Sequence, residues 1–281
     1  MTKLLRAGIR RYFKCPVSWI TLAMLVIFGC LGAAEIGPQS SPDDIYILSL
    51  MFGMTSMVTL SIGKEIGNGS VRNKIVKGYK KGQIFLSEMI LAIAICFVLF
   101  IVSAVPFILI DYVTLKEIPT EALIKVVAGI ILLNLALVSI CVFVSCMITN
   151  RAISAVVAIV LVIGFLFVGF YLNDCLNDPE YFEVVITSNG ETQKAPNAAR
   201  NPNYVDGVQR KIYQFLYDVN PLGQMIQYAE ILSPYFTPHA VKLEIPNEEM
   251  QILNTAPLYS IGVMIVVSSG GYVLFRKKDL K

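Results

Sequence analysis

The sequence predicts an all-α polytopic membrane protein with six transmembrane helices. Hydrophobic residues make up 56% of the 281-residue chain and charged residues only 15%, where soluble globular proteins carry about 25% charge. The mean hydropathy is +0.66. The apolar residues also gather into six runs near the ~20 residues that a helix needs to cross ~30 Å of hydrocarbon. These runs are Pro16–Ala34, Ile45–Ile62, Ser87–Ile110, Ala122–Ile148, Ala152–Leu172 and Pro257–Phe275. Helices satisfy their own backbone groups, which lipid-exposed irregular chain cannot do. Residues 1–281 therefore read as one transmembrane domain, with residues 173–256 as a small external segment between spans five and six.

Taken in order, residues 2 to 15 form a basic amphipathic helix. Leu5, Ile9, Tyr12 and Phe13 share one face and Arg6, Arg10 and Lys14 lie largely on another, a pattern suited to the membrane interface. A plain positive flank orienting the first span is the simpler alternative. The basic start and apolar core also imitate a signal peptide, but five further runs favour a retained first helix. Residues 35 to 44 form an acidic, proline-broken loop, and the second span is diluted by Ser49, Thr55, Ser56, Thr59 and Ser61. Pro106 falls inside the third span and removes one helical hydrogen bond. Asn134 lies near the middle of the fourth. A buried amide there bonds to a neighbouring helix or contacts a substrate on a translocation path.

In the external segment, Phe182 to Gln193 alternates around Asn189-Gly190, a hairpin signal. Arg210–Tyr217 reads as an amphipathic helix, and a second short helix starts after Asn220-Pro221. Both could return to the membrane as a partly embedded cap; the alternative is an exposed flexible loop.

The basic residues are distributed unevenly. Lys3, Arg6, Arg10, Arg11 and Lys14 precede the first span, and Lys64, Arg72, Lys74, Lys77, Lys80 and Lys81 separate the second from the third. Arg151 precedes the fifth, and Arg276, Lys277, Lys278 and Lys281 follow the sixth. Sixteen of the 23 basic residues thus share one side with only three of the 20 acidic ones, Glu65, Glu88 and Asp279. The excess of Lys and Arg on cytoplasmic loops predicts that both termini are cytoplasmic.

Several chemistries are missing from the sequence. There is no G-x-x-x-x-G-K-[ST], so the chain has no phosphate-binding loop of its own. The six cysteines show no metal or disulfide spacing and read as small packing residues. His239 has no sequence partners for catalysis or metal binding. No acid or base sits at mid-span, which argues against a proton-coupled carrier. Neither a catalytic residue, a cofactor site nor a nucleic-acid-binding feature is identified, and an outside power source is expected.

Residues 64 to 82 are where such a source would attach. Gly67, Asn68 and Gly69 end the second span, and Ser70 is placed to cap a short helix. In that helix Val71, Ile75 and Tyr79 form an apolar stripe, with Arg72, Lys74, Lys77 and Lys81 around it. A short helix of this kind fits a groove on a partner protein; a positive loop held against anionic lipid is the other reading.

Glu65-Ile-Gly-Asn-Gly-Ser-Val-Arg-Asn-Lys-Ile-Val, placed after the second of six spans, resembles the coupling-helix region of type-2 ABC exporter permeases. The tail Leu274-Phe-Arg-Lys-Lys-Asp-Leu280 and the Asn220-Pro221 pair are similar to features of the same family. The resemblance implies a permease subunit in a bacterial cell membrane, paired with a separate ABC ATPase subunit that binds ATP and Mg. It also implies a second permease subunit, in a homodimer or heterodimer. Carried over by position, Glu65, Gly69, Ser70, Val71, Arg72, Asn73, Lys74, Ile75 and Tyr79 would form the ATPase-coupling region. Leu5, Arg6, Ile9, Arg10, Tyr12 and Phe13 would belong to the interfacial helix. A membrane scaffold or immunity protein that moves no substrate is the alternative, and a stand-alone carrier or channel is a third reading.

Overall fold

Pro16 makes the first corner of the molecule. Its ring fixes φ, it lacks an N–H, and it disfavours helical geometry at Cys15 before it. The computed structural model, which describes residues 2–34, 42–110, 118–181, 185–188, 191–194, 200–236 and 245–278, accordingly bends the chain by 66° at this point. Helix α1 (Thr2–Lys14) ends there and α2 (Pro16–Ala34) begins. Then follow α3 (Pro42–Gly67), the short α4 (Ser70–Val76), α5 (Lys81–Ile110), α6 (Thr120–Met147) and α7 (Arg151–Asn177). A hairpin of β1 (Val185–Ser188) and β2 (Glu191–Lys194) precedes α8 (Gly207–Val219), α9 (Pro221–Leu232) and α10 (Asn247–Lys277).

Four of these helices, α5, α6, α7 and α10, are long and apolar enough to cross a membrane, and α1 with α2 makes a fifth if the bent pair is one span. Each expected span lies within one of the long helices except the fourth, which was expected to end at Ile148, one residue beyond the end of α6, and most helices outrun the apolar run. The second begins three residues earlier and ends five later than expected, at Pro42 and Gly67, the third starts at Lys81, and the last starts at Asn247 with Pro257 inside it. Hydropathy falls where polar residues begin, whereas helical hydrogen bonding continues beyond the hydrocarbon. The expected hairpin is present as an antiparallel pair with Val185 opposite Lys194 and Ser188 opposite Glu191. Its turn, together with most of the acidic loop at 35–44, His239, Asp111 and residues 279–281, lies outside the described residues.

Helix α6 is the centre of the bundle. Leu133, Asn134, Ala136, Leu137, Val142 and Cys146 on it are buried almost completely, against Met51, Met54 and Ile62 of α3 and Phe85 of α5 within one apolar core. All six cysteines are free, and Cys96, Cys141 and Cys146 are packed inside. At the end that carries the basic loop, Phe85 and Phe275 stack with ring centres 5.9 Å apart. Gly271 makes room for them, since a Cβ there would come within 2.7 Å of the Phe85 ring. Lys278 then donates to the last carbonyls of α6, those of Cys146 at 2.9 Å and Met147 at 3.0 Å. A cation on these otherwise unpaired carbonyls complements the negative end of the helix. Burial pulls the ammonium of Lys278 below the ordinary lysine value.

The segment between α7 and α10 is more deeply embedded than a surface cap. Every residue of α9 except Glu230 is buried. Asn220 caps α9 by accepting from the Leu222 amide at 3.1 Å, and its side-chain amide donates to the Phe165 carbonyl of α7 at 2.7 Å. Pro221 at the first helical position suits the preset φ of a helix start. Both glutamines that α9 takes inside donate to partners, whereas the buried Tyr228 hydroxyl has none among the described residues. Gln224 donates to the Asp218 carbonyl at 2.6 Å and accepts from Ser260 of α10 at 2.6 Å, and Gln227 donates to the Asp218 carboxylate at 2.9 Å.

Candidate functional site

The candidate site is built around α4. Gly69 precedes it as the N-cap at φ 69°, ψ 8°, in the left-handed region. A Cβ at Gly69 would meet nothing within 4 Å, so conformation rather than space demands glycine there. Ser70 does not cap the helix, as the sequence suggested it would; no side chain does. The stop is equally defined. Gly78 at φ 88° donates to the Ile75 carbonyl at 2.9 Å, and the Tyr79 amide reaches the Lys74 carbonyl at 3.2 Å. These two bonds are the Schellman arrangement. Two left-handed glycines thus isolate seven residues as a separate unit.

The face that this unit turns inward carries both apolar and charged groups. Val71 is 4% exposed, and Ile75 and Tyr79 are half-buried against the same core. The apolar stripe read from the sequence therefore packs in part on the chain's own helices. Lys74 lies beside it and pairs with both Glu65, from the last turn of α3, and Glu88, from the start of α5; its nitrogen is 3.2 Å from Glu88 Oε1. Arg11 of α1 pairs with the same two carboxylates and stands 2.7 Å from Glu88 Oε2. The Glu65 and Glu88 side chains are only 3% and 4% exposed, whereas those of Arg11 and Lys74 keep 22% and 17%. Burial lowers the pKa of Lys74, and the neighbouring Glu88 carboxylate opposes that shift.

Two cations shared by two carboxylates give a neutral cluster that joins α1, α3, α4 and α5. Buried carboxylates must be paired to be tolerated, and here each has two partners. The packing of α1 makes the arrangement possible. Leu4, Gly8 and Tyr12 form its buried stripe, and a Cβ on Gly8 would overlap the Leu91 side chain of α5. That close approach carries Arg11 inward. Its guanidinium lies 5.2 Å from the centre of the Tyr12 ring, within the range of a cation–π contact.

Among the expected interfacial residues, Tyr12 is buried and Leu5 half-buried, while Arg6, Ile9, Arg10 and Phe13 are exposed. The inner face is thus rotated by about one residue from the one read in the sequence. Of the expected coupling residues, Glu65, Val71 and Lys74 point inward, and Gly69, Ser70, Ile75 and Tyr79 are intermediate. Only Arg72 and Asn73 are exposed. They share the outer surface of the unit with Val76, 81% exposed, and Lys77. Sequence reasoning missed the pairing of Arg11 and Glu88. A signal for it existed: Glu65 and Glu88 are two of the three acidic residues on the basic side, each at the border of an apolar run.

The sequence profile described as ABC-2 family transporter protein matches residues 34–280, from the end of α2 through the last helix. The chain belongs to the ABC-2 transporter family. No curated protein matches it. As an ABC-2 family member it is a multi-pass membrane protein of permease type, and three of the four cluster residues, Glu65, Lys74 and Glu88, lie within the matched stretch. Arg11 lies before it.

Two further features of this ABC-2 protein lie within the helical bundle. Asn134 is 1% exposed and its amide donates to the Ile130 carbonyl of its own helix at 2.8 Å. The expected bond to a neighbouring helix is not the one it makes, and its side-chain oxygen has no hydrogen-bond partner among the described residues. A cavity of about 570 Å³ opens between α2 and α3 and reaches Ile159 of α7. Its walls are mainly apolar, with the hydroxyl-bearing residues Thr21, Ser49 and Ser56 among them. Among the described residues, no group of three or more His, Cys, Asp or Glu side chains could hold a metal ion.

Proposed function

We propose that this chain is the membrane-spanning permease subunit of an ATP-driven exporter. Its six spans are α2, α3, α5, α6, α7 and α10, and both termini lie in the cytoplasm of a bacterial cell. A separate ABC ATPase subunit binds ATP and Mg, and a second permease subunit, identical or different, completes the transport path. The observation that carries this reading is the buried cluster of Arg11, Glu65, Lys74 and Glu88, which clamps α4 to the ends of three other helices.

A displacement of a loosely tethered loop would be absorbed locally. A displacement of α4 instead pulls on two carboxylates whose release from their cations would leave buried charge uncompensated, at about 3–5 kcal/mol. Motion imposed by the ATPase is therefore passed to α3 and α5, and through Arg11 to α1, rather than lost in the loop. The surface left for the ATPase is the outer face of α4, formed by Arg72, Asn73, Val76 and Lys77. An exposed valine between two cations suits a groove with an apolar floor and an acidic rim.

The test is co-purification of the ATPase with Val76→Asp/Lys77→Glu. Loss of the ATPase from an otherwise folded permease is expected. Full retention, with hydrolysis still responsive to the permease, would refute docking on this face. A retained and active ATPase with no substrate movement in vesicles would favour a scaffold that binds a partner without transport.

A further inference from the structure

We propose that a cleft between the start of α5 and the end of α10 binds the phosphate headgroup of an anionic phospholipid from the cytoplasmic leaflet; the choice of leaflet rests on the orientation proposed above. The cleft has a volume of about 520 Å³, within the ~300–1,000 Å³ of small-ligand sites. Lys80, Lys81 and Arg276 supply positive charge, while Ile75, Tyr79 and Tyr272 supply apolar and aromatic walls. Among the described residues that line it, none is acidic. Among the described residues, the two carboxylates of this end of the molecule, Glu65 and Glu88, are engaged by Arg11 and Lys74.

The walls are held in place. Lys81 Nζ donates to the Lys278 carbonyl at 2.6 Å, and the Arg276 guanidinium lies 5.6 Å from the centre of the Tyr272 ring. α5 and α10 meet at Gly82, where a Cβ would come within 2.9 Å of the Tyr272 hydroxyl. Gly82 therefore lets the two helices close the back of the cleft. Basic pockets between helices at the cytoplasmic surface hold anionic lipid headgroups by this combination of charge and depth.

The exposed faces of both helices indicate a lipid in preference to a free anion. On α5, Leu86, Ile90, Phe97 and Ile101 are exposed and share the face of Gln83, which lines the cleft. On α10, Leu258 and Ile265 are exposed on the same face as Tyr272 and Arg276, at spacings of seven, seven and four residues. Both lipid-facing stripes end at the cleft, so a headgroup seated there would have hydrocarbon-compatible surface running away from it along α5 and α10. Because Ile75 and Tyr79 also line the cleft, a bound lipid would touch the coupling unit itself.

The test uses the full-length protein in detergent, with native mass spectrometry counting added phosphatidylglycerol or phosphatidylcholine. Wild type should retain phosphatidylglycerol in preference to phosphatidylcholine, and Lys80→Gln/Arg276→Gln should weaken the phosphatidylglycerol binding about thirtyfold, since each basic residue near an anionic surface contributes about a factor of five. The charge-preserving Lys80→Arg/Arg276→Lys should restore most of it, and Arg151→Gln/Lys211→Gln, which removes the same charge at exposed positions away from the cleft, should leave it unchanged. Equal binding by wild type and Lys80→Gln/Arg276→Gln would overturn the proposal, as would equal weakening by the Arg151→Gln/Lys211→Gln control. Complete competition by millimolar inorganic phosphate would make this a free-anion site. Loss of a co-purifying ATPase from Lys80→Gln/Arg276→Gln with phosphatidylglycerol binding intact would make it a protein contact. Protease access to a tag after Lys281 in sealed vesicles tests the orientation separately, so a failed leaflet assignment is distinguishable from a failed lipid site.

Discussion

Glu88→Gln is the most direct perturbation of the charge cluster. It keeps the shape of the side chain and removes one of two negative charges that neutralise Arg11 and Lys74. Two cations then share Glu65 alone, leaving one positive charge with no counterpart. Breaking a fully buried pair costs about 3–5 kcal/mol. The Arg11 and Lys74 side chains keep 22% and 17% exposure, so water recovers part of that, and about 3 kcal/mol is expected. If the loss falls on the docking of α4, the undocked state gains roughly a hundredfold in population. Hydrogen exchange reads this directly, because local opening sets the rate of amide exchange. Amides in 71–79 should exchange about a hundredfold faster in Glu88→Gln, with those of the central α6 unchanged. Adding Lys74→Met removes the surplus cation and should recover most of the protection, a strongly non-additive result for two damaging changes. Unchanged exchange in Glu88→Gln, or simple additivity in the pair, would refute the view that these charges hold α4 in place.

Three further substitutions probe neighbouring parts of the argument. Val76→Asp alone should weaken ATPase co-purification while shifting permease stability by less than about 0.5 kcal/mol in thermal unfolding, because the side chain is 81% exposed and supports nothing inside the chain. Gly69→Ala should cost about 1–2 kcal/mol through its left-handed φ of 69°; the absence of any atom within 4 Å of the added Cβ predicts no further loss, so a larger drop in melting temperature would contradict this reading. Asn220→Ala removes both the α9 cap and the bond to Phe165. It should lower stability by about 1–2 kcal/mol, and limited proteolysis should show cleavage appearing first in the segment around α9.

The long helices were legible because lipid imposes a strong length and composition signal. The expected first span and α2 share the same ends, Pro16 and Ala34. The direction in which each amphipathic face would turn was less legible. Val71 and Ile75 were correctly placed on one side of a short helix, whereas Tyr79, expected to continue it, lies past its end at Val76 because Gly78 turns the chain in the left-handed region; periodicity also does not say which apolar surface will cover such a stripe. The surface at hand was the chain's own Ile62, Ile84 and Phe85. For α1 the sequence favoured the large residues Leu5, Ile9 and Phe13, whereas the packed face runs through Gly8, where the missing side chain allows contact with Leu91. The burial of α9 followed a comparable route. Gln224 and Gln227 make it look too polar for the interior until their partners Ser260 and Asp218 are known, and those partners are distant or outside the helix in sequence.

The cluster also explains why an apolar stripe alone would make a poor transmission element. Val71, Ile75 and Tyr79 gain from contact with any apolar surface of similar shape, so α4 could slide along the bundle at little cost. Ion pairs at hydrogen-bond distance are directional and lose their value once displaced. Sharing both carboxylates between Arg11 and Lys74 adds a further restriction. α4 cannot move relative to α5 without also changing the geometry seen by α1 and α3. The neutral sum of two positive and two negative charges lets this restriction sit in a buried site without a net charge to solvate. In the proposed coupling, the apolar stripe would supply attraction, the four charges register, and the two left-handed glycines the ends between which the unit would move as a single piece.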